Sequence, residues 1–211
     1  MQKLIEFRHN SPLQHQLSKA DPYSMLSIDV LALVHYFAKA AEGHILEIGS
    51  FVGGSTIAAA LGARESGKTR KIVSIEIGGR LDNHRLATRD IFKQLKKNLA
   101  RFGVLDAVTL INAASYDEKT VAAVRQALGP RDVGLFIFDA DDNVRRDLDC
   151  YGDLIADRCW VVIDDYFGGS EKTGRIREQV DELIASGRLI QLGFYGLGTW
   201  VGRWAAPAGG E

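Results

Sequence analysis

The chain has 211 residues, enough for one α/β domain with a sizeable core. Hydrophobic residues make up 46% and charged residues 25%, and 26 basic residues against 27 acidic leave a formal charge of −1. That balance offers no general attraction to nucleic acid or an anionic membrane surface, no apolar stretch approaches the roughly 20 residues of a membrane span, and Met1 to Asn10 has no signal-peptide apolar run.

Residues 1–23 are polar, contain Pro12 and Pro22, and read as an N-terminal arm; residues 24–211 read as a single domain. Met25, Ile28, Leu31, Val34, Phe37, Ala38 and Ala41 recur at helical spacing, which predicts a helix over 24–41 that Gly43 ends. Short apolar strands are then expected at 45–48, 72–76, 107–111, 133–138 and 159–163. Helices are expected at 54–64, 89–102, 117–128 and 143–156. Strands separated by helices imply a parallel sheet covered on both faces. A further helix over 173–186 follows, then two strand-like runs, Arg188 to Tyr195 and Thr199 to Trp204, joined as a hairpin by Gly196, Leu197 and Gly198. The expected fold is an α/β, doubly wound, seven-stranded sheet, mostly parallel with a C-terminal antiparallel hairpin. Cys150 and Cys159 fit no zinc pattern and read as thiols of a reducing cytoplasm.

The most informative stretch runs from His44 to Leu61: a short buried strand, a turn with Gly49, Gly53 and Gly54, then a helix that Ser55 and Thr56 are suited to cap. A helix N-terminus at the mouth of a parallel sheet carries unpaired N–H groups and a partial positive charge, which suits nucleotides and related cofactors. A P-loop requires a lysine where Ser55 stands, and the dinucleotide pattern requires a glycine where Phe51 stands. What remains is acid-x-Gly-x-x-x-Gly, here Glu47, Gly49 and Gly53.

Ligands of open α/β sheets sit beyond the carboxyl ends of the strands. There the first strand delivers Glu47 and Gly49, the second Glu76, and the third the run Asn112 to Ser115. The fourth delivers Asp139, Asp141 and Asp142, and the fifth Asp164, Asp165 and Tyr166. Glu76 is placed to accept hydrogen bonds from both hydroxyls of a ribose, and Ser115 either meets an adenine edge or caps the next helix. Asp139, Asp164 and Asp165 would repel one another, so protons, a basic partner or a metal must neutralise them. Hard oxygen ligands favour Mg²⁺ or Ca²⁺.

The acid-x-Gly-x-x-x-Gly turn resembles motif I of the class I S-adenosylmethionine (SAM)-dependent methyltransferases, and five βα units closed by a hairpin resemble their Rossmann-like seven-strand plan. Within that class, Phe138 to Asp141, Asp147 to Tyr151 and Val161 to Asp165 resemble the metal-dependent small-molecule O-methyltransferases: the catechol and caffeoyl-CoA enzymes and the sugar- and antibiotic-modifying branch. The resemblance implies SAM held by Glu47, Gly49, Ser50, Gly53, Ser55, Glu76, Ser115 and Asp139. It also implies a divalent ion such as Mg²⁺ on Asp139, Asp164 and Asp165, and a small-molecule hydroxyl acceptor such as a vicinal diol or catechol. The chain departs from the family in its base. Asp142 stands where the sugar branch has histidine, and Asn143 and Arg145 stand near where the catechol branch has lysine. Candidates for the base are Asp142, His84 and Tyr166. The arm, the loop 77–88 and the segment 166–174 are expected to roof the acceptor, with a homodimer contact as the alternative use of the arm. An NAD-dependent oxidoreductase and a non-catalytic cofactor-binding subunit share parts of this pattern.

Overall fold

The computed structural model describes residues 2–82 and 85–205. Its centre is a seven-stranded sheet in the order β3-β2-β1-β4-β5-β7-β6. The five parallel strands are β1 (His44–Ile48), β2 (Ile72–Ile75), β3 (Val108–Ile111), β4 (Val133–Phe138) and β5 (Ile155–Ile163). The hairpin strands β6 (Leu189–Tyr195) and β7 (Thr199–Trp204) close the sheet antiparallel, β7 pairing with β5. The sheet thus takes the expected seven-stranded architecture.

Side chains alternate between the two faces of each strand, and both faces are apolar. Ile45, Ile72, Leu135, Ile137 and Val162 face one layer, made of α3 (Ile28–Ala40), α4 (Gly54–Glu65) and α5 (Ile91–Arg101). Leu46, Ile48, Val73, Phe136, Phe138 and Ile163 face the other, made of α6 (Glu118–Ala127), α7 (Val144–Tyr151) and α8 (Glu171–Ala185). The register aligns the strand ends. Ile48 lies opposite Ile75 and Phe138, Ile75 opposite Ile111, and Phe138 opposite Ile163. The residue after each strand therefore falls on one edge: Gly49, Glu76, Asn112, Asp139 and Asp164.

Two segments differ from the sequence expectation. The arm is built of α1 (Gln2–His9), α2 (Ser11–Ala20) and a 3-10 turn over Asp21–Tyr23. Leu4, Phe7, Leu17 and Ala20 bury themselves in the α3/α4 layer. Pro12 starts α2 rather than breaking it, because the first helical turn needs no N–H from that position. The helix expected over 143–156 stops at Tyr151, and β5 begins at Ile155. Leu148, Tyr151, Leu154 and Ile155 keep helical spacing, so the pattern does not mark the change. The early part of β5 is irregular: Ile155 pairs with Val133 and Trp160 with Leu135, and Arg158 adopts φ +61° between them. No helix among the described residues is long and apolar enough to cross a membrane.

Helices α3 and α4 approach closely at Gly62 of α4, where a Cβ would stand 2.1 Å from the carbonyl oxygen of His35 on α3. Alanine favours a helix interior over glycine by about 1 kcal/mol. Gly62→Ala is nonetheless expected to cost about 2–3 kcal/mol in urea denaturation, because overpacking outweighs propensity. A stabilised variant would contradict this packing.

Candidate functional site

The site begins at the turn between β1 and α4. Gly49 adopts φ +87°, and a Cβ there would lie 1.9 Å from the carbonyl oxygen of Asp139, so β1 and β4 can leave the sheet side by side only with glycine at this place. At Gly54 a Cβ would stand 2.3 Å from the Cβ of Ser24; this glycine makes room for the chain entering α3, not for a ligand. Gly53, at φ +104°, forms the N-cap of α4.

Beneath the turn lies Glu47, only 1% exposed. Ser55 Oγ donates to its Oε1 at 2.5 Å, and Thr56 Oγ1 and Ser74 Oγ donate to Oε2, each at 2.6 Å. Ser50 Oγ shares a short hydrogen bond with Ser74 Oγ. Burial pushes the Glu47 carboxyl above its ordinary range, and the three hydroxyl donors oppose that shift. Ser55 and Thr56 are thus engaged with Glu47 and do not cap α4, as their sequence position suggested.

Above the turn, a cavity of about 620 Å³ opens along the sheet edge. Glu76 forms its floor on one side, where Oε2 accepts from the Phe51 N–H at 2.6 Å and Oε1 from the Gly78 N–H at 2.8 Å. Burial raises the Glu76 carboxyl, against the pull of those two N–H groups. Beside it stand Ser115, Tyr116 and Arg146; the guanidinium carbon of Arg146 lies 3.9 Å from the Tyr116 ring centre. Asp141 and Asp147 hold Arg146 by ion pairs of 2.9 and 2.7 Å.

The other half of the cavity contains the acids. Asp139, Asp164 and Asp165 each offer one carboxylate oxygen, and these three oxygens lie within 4.8 Å of one another. Asp165 has φ +59°, a left-handed conformation uncommon for a residue with a side chain. Thr199 Oγ1 donates to Asp164 Oδ1 at 2.6 Å, and Lys172 Nζ pairs with Asp165 Oδ2 at 2.5 Å. Asp139 is held well above the usual carboxylate range, first by burial and then by the Asp164 charge. Asp164 is raised too, chiefly by burial. Three hard oxygen donors converging this closely fit a divalent ion such as Mg²⁺ or Ca²⁺. Met25, Phe167 and Leu197 add apolar side chains to the cavity lining, with Leu197 95% exposed.

The structure brings Gly49, Glu76, Ser115, Asp139, Asp164 and Asp165 to one cavity. Glu47, Ser50, Gly53 and Ser55 do not line it; they stand behind it and fix the shape of the turn. Asp142, a candidate base, does not line the cavity: the turn after β4 carries its carboxylate to Arg175, at 2.8 Å. Tyr166 likewise donates to Asp181 Oδ1 of α8 at 2.6 Å. His84 lies outside the described residues. Sequence reasoning did not single out Lys172, Arg146, Tyr116, Met25, Phe167 or Leu197, although Phe167 and Lys172 lie in the segment 166–174 expected to roof the acceptor. Lys172 carried a further signal, a cation seven positions beyond a pair of acids in need of one, and Tyr116 is the neighbour of Ser115.

Residues 46–166 match a family model described as a methyltransferase domain. No curated protein matches the sequence. Among solved structures, the chain is similar to the O-methyltransferase TomG of Streptomyces achromogenes, involved in tomaymycin synthesis and solved with SAM. That match has TM-score 0.65 and 17% identity and covers 90% of each chain. It is also similar to the SAH-bound methyltransferase PaMTH1 of Podospora anserina, with TM-score 0.64, 19% identity, and coverage of 97% of this chain and 88% of that one. A third likeness is to an O-methyltransferase of Bacillus cereus in complex with SAH: TM-score 0.64, 16% identity, and coverage of 98% and 91%. At these identities the likeness shows the fold.

The shift at Glu47 has a sign that can be checked. In the unfolded chain this carboxyl titrates near its ordinary 4.5, and in the folded protein above that. The folded state therefore holds the proton more tightly, and Glu47 costs stability as pH rises from 4.5 through its folded pKa. Glu47→Gln is expected to lose less stability than the wild type between pH 4.5 and 7 in urea titrations. Parallel curves would contradict the assignment.

Proposed function

The chain belongs to the methyltransferase-domain family, and from that premise we propose that it transfers the methyl group of SAM to a hydroxyl oxygen of a small molecule, with a divalent ion such as Mg²⁺ at the acid triad. The observation that carries this reading is the sharing of one cavity by Glu76 and the triad of Asp139, Asp164 and Asp165, on either side of the Gly49 turn. When bound, the sulfonium cofactor supplies an activated methyl group, and a divalent ion supplies Lewis-acid polarisation of the acceptor hydroxyl.

The remaining work falls to the protein's own side chains. Glu76, with both oxygens already fixed by backbone N–H groups, keeps further lone pairs for the ribose hydroxyls. Ser115, Tyr116 and Arg146 flank the place of the adenine. Asp139, Asp164 and Asp165 would hold the metal and so set the direction from which acceptor oxygens approach. Two adjacent hydroxyls match such a centre, which favours a vicinal diol or catechol-like acceptor. Met25, Phe167 and Leu197 offer an apolar surface to its body. Alignment of oxygen and methyl at near-attack distance is the main catalytic requirement, because the sulfonium needs no further activation. Asp142 and Tyr166 are turned toward α8, away from the cavity in which the acceptor hydroxyl would give up its proton.

Two substitutions separate the roles. Asp139→Asn is expected to lower metal-dependent methyl transfer about a hundredfold or more while leaving S-adenosylhomocysteine (SAH) affinity within about threefold, measured by turnover and calorimetry. Unchanged turnover with a catechol or diol acceptor would remove the metal role. Glu76→Ala is expected to weaken SAH binding about ten- to a hundredfold, the worth of hydrogen bonds to a charged acceptor. Wild-type affinity in that variant would refute the ribose assignment.

A further inference from the structure

The acid triad already carries a cation of the chain's own. Lys172 stands in the first turn of α8, after the N-cap Ser170. The helix dipole disfavours a positive charge there. The ammonium is nonetheless drawn onto Asp165, at 2.5 Å, and its charge also reaches Asp139 and Asp164. It is the internal answer to three carboxylates that would otherwise repel one another.

The pair is open to exchange. The side chains of Lys172 and Asp165 are 37% and 35% exposed, so solvent reaches the contact without disturbance of the core. The ammonium rides on a flexible four-carbon stem. Gly169 and Gly174 on either side face open space where a Cβ would stand. A divalent ion held by Asp139, Asp164 and Asp165 needs an Asp165 oxygen and would lie close to this ammonium, and like charges at short range repel strongly in a partly buried site.

We propose that Lys172 is a tethered competitor for the divalent cation: metal enters the triad as Lys172 leaves Asp165, so the site binds metal more weakly than its three carboxylates alone would. This rests on the reading of the triad as a metal site. It adds that in the metal-free protein one lysine offsets part of the charge of the triad.

The test is calorimetric titration of MnCl2 into the full-length wild type and into Lys172→Met, Lys172→Gln and Lys172→Arg, at neutral pH. SAH affinity in chelator and thermal denaturation check that each variant is folded. Lys172→Met and Lys172→Gln are expected to bind Mn²⁺ about tenfold or more tightly than wild type, with Lys172→Arg within about threefold of it. Equal or weaker binding by both neutral variants overturns the role of Lys172 and leaves the metal site standing. Absence of Mn²⁺ binding in all four proteins overturns both together.

Discussion

The site depends on the register of four parallel strands. Because Ile48, Ile75, Phe138 and Ile163 end level with one another, the next residue on each chain, Gly49, Glu76, Asp139 and Asp164, stands on a single edge. A slip of one residue would send every side chain to the opposite face and scatter these groups. The register is secured by apolar residues buried on both sides of the sheet, and by the contact at Gly49, where β1 and β4 approach too closely for any side chain. The chemistry at the edge is a consequence of packing at the centre.

Carboxylates do three different jobs along this edge, and their surroundings decide which. Glu47 is sealed beneath the turn and saturated by three hydroxyls, so it fastens β1 to β2 and α4. Glu76 is held open by two backbone N–H groups and faces the cavity. Asp139, Asp164 and Asp165 crowd together, and burial with mutual repulsion lifts Asp139 and Asp164 above their ordinary range. Such a cluster is costly for a fold to maintain, which fits a part in the reaction of this methyltransferase.

Much of this was legible in the sequence, because the relevant signals are local. The alternation of short apolar runs with helical spacing sets the sheet, and acids directly after strands 2, 4 and 5 mark the edge. The arm was harder: Leu4, Phe7, Leu17 and Ala20 are sparse within a polar stretch, and only tertiary packing shows that they join the core. The helix-to-strand change near Leu154 was hidden because Leu148, Tyr151, Leu154 and Ile155 keep helical spacing across it. Asp142 was a candidate base because it stands where the sugar branch has histidine, yet its carboxylate pairs with Arg175. Arg146, Tyr116 and Lys172 come from helices or loops whose position against the cavity is a three-dimensional fact. Tyr116 follows Ser115 directly in the chain, but no spacing rule places Arg146 beside that pair.

The most direct test is a crystal structure of the protein grown with SAH and Mn²⁺, with anomalous scattering collected for the metal. SAH is expected in the cavity with its ribose on Glu76, together with an anomalous peak bounded by Asp139, Asp164 and Asp165. SAH bound elsewhere, or a cavity that takes up neither SAH nor manganese at saturating concentrations, would contradict that expectation.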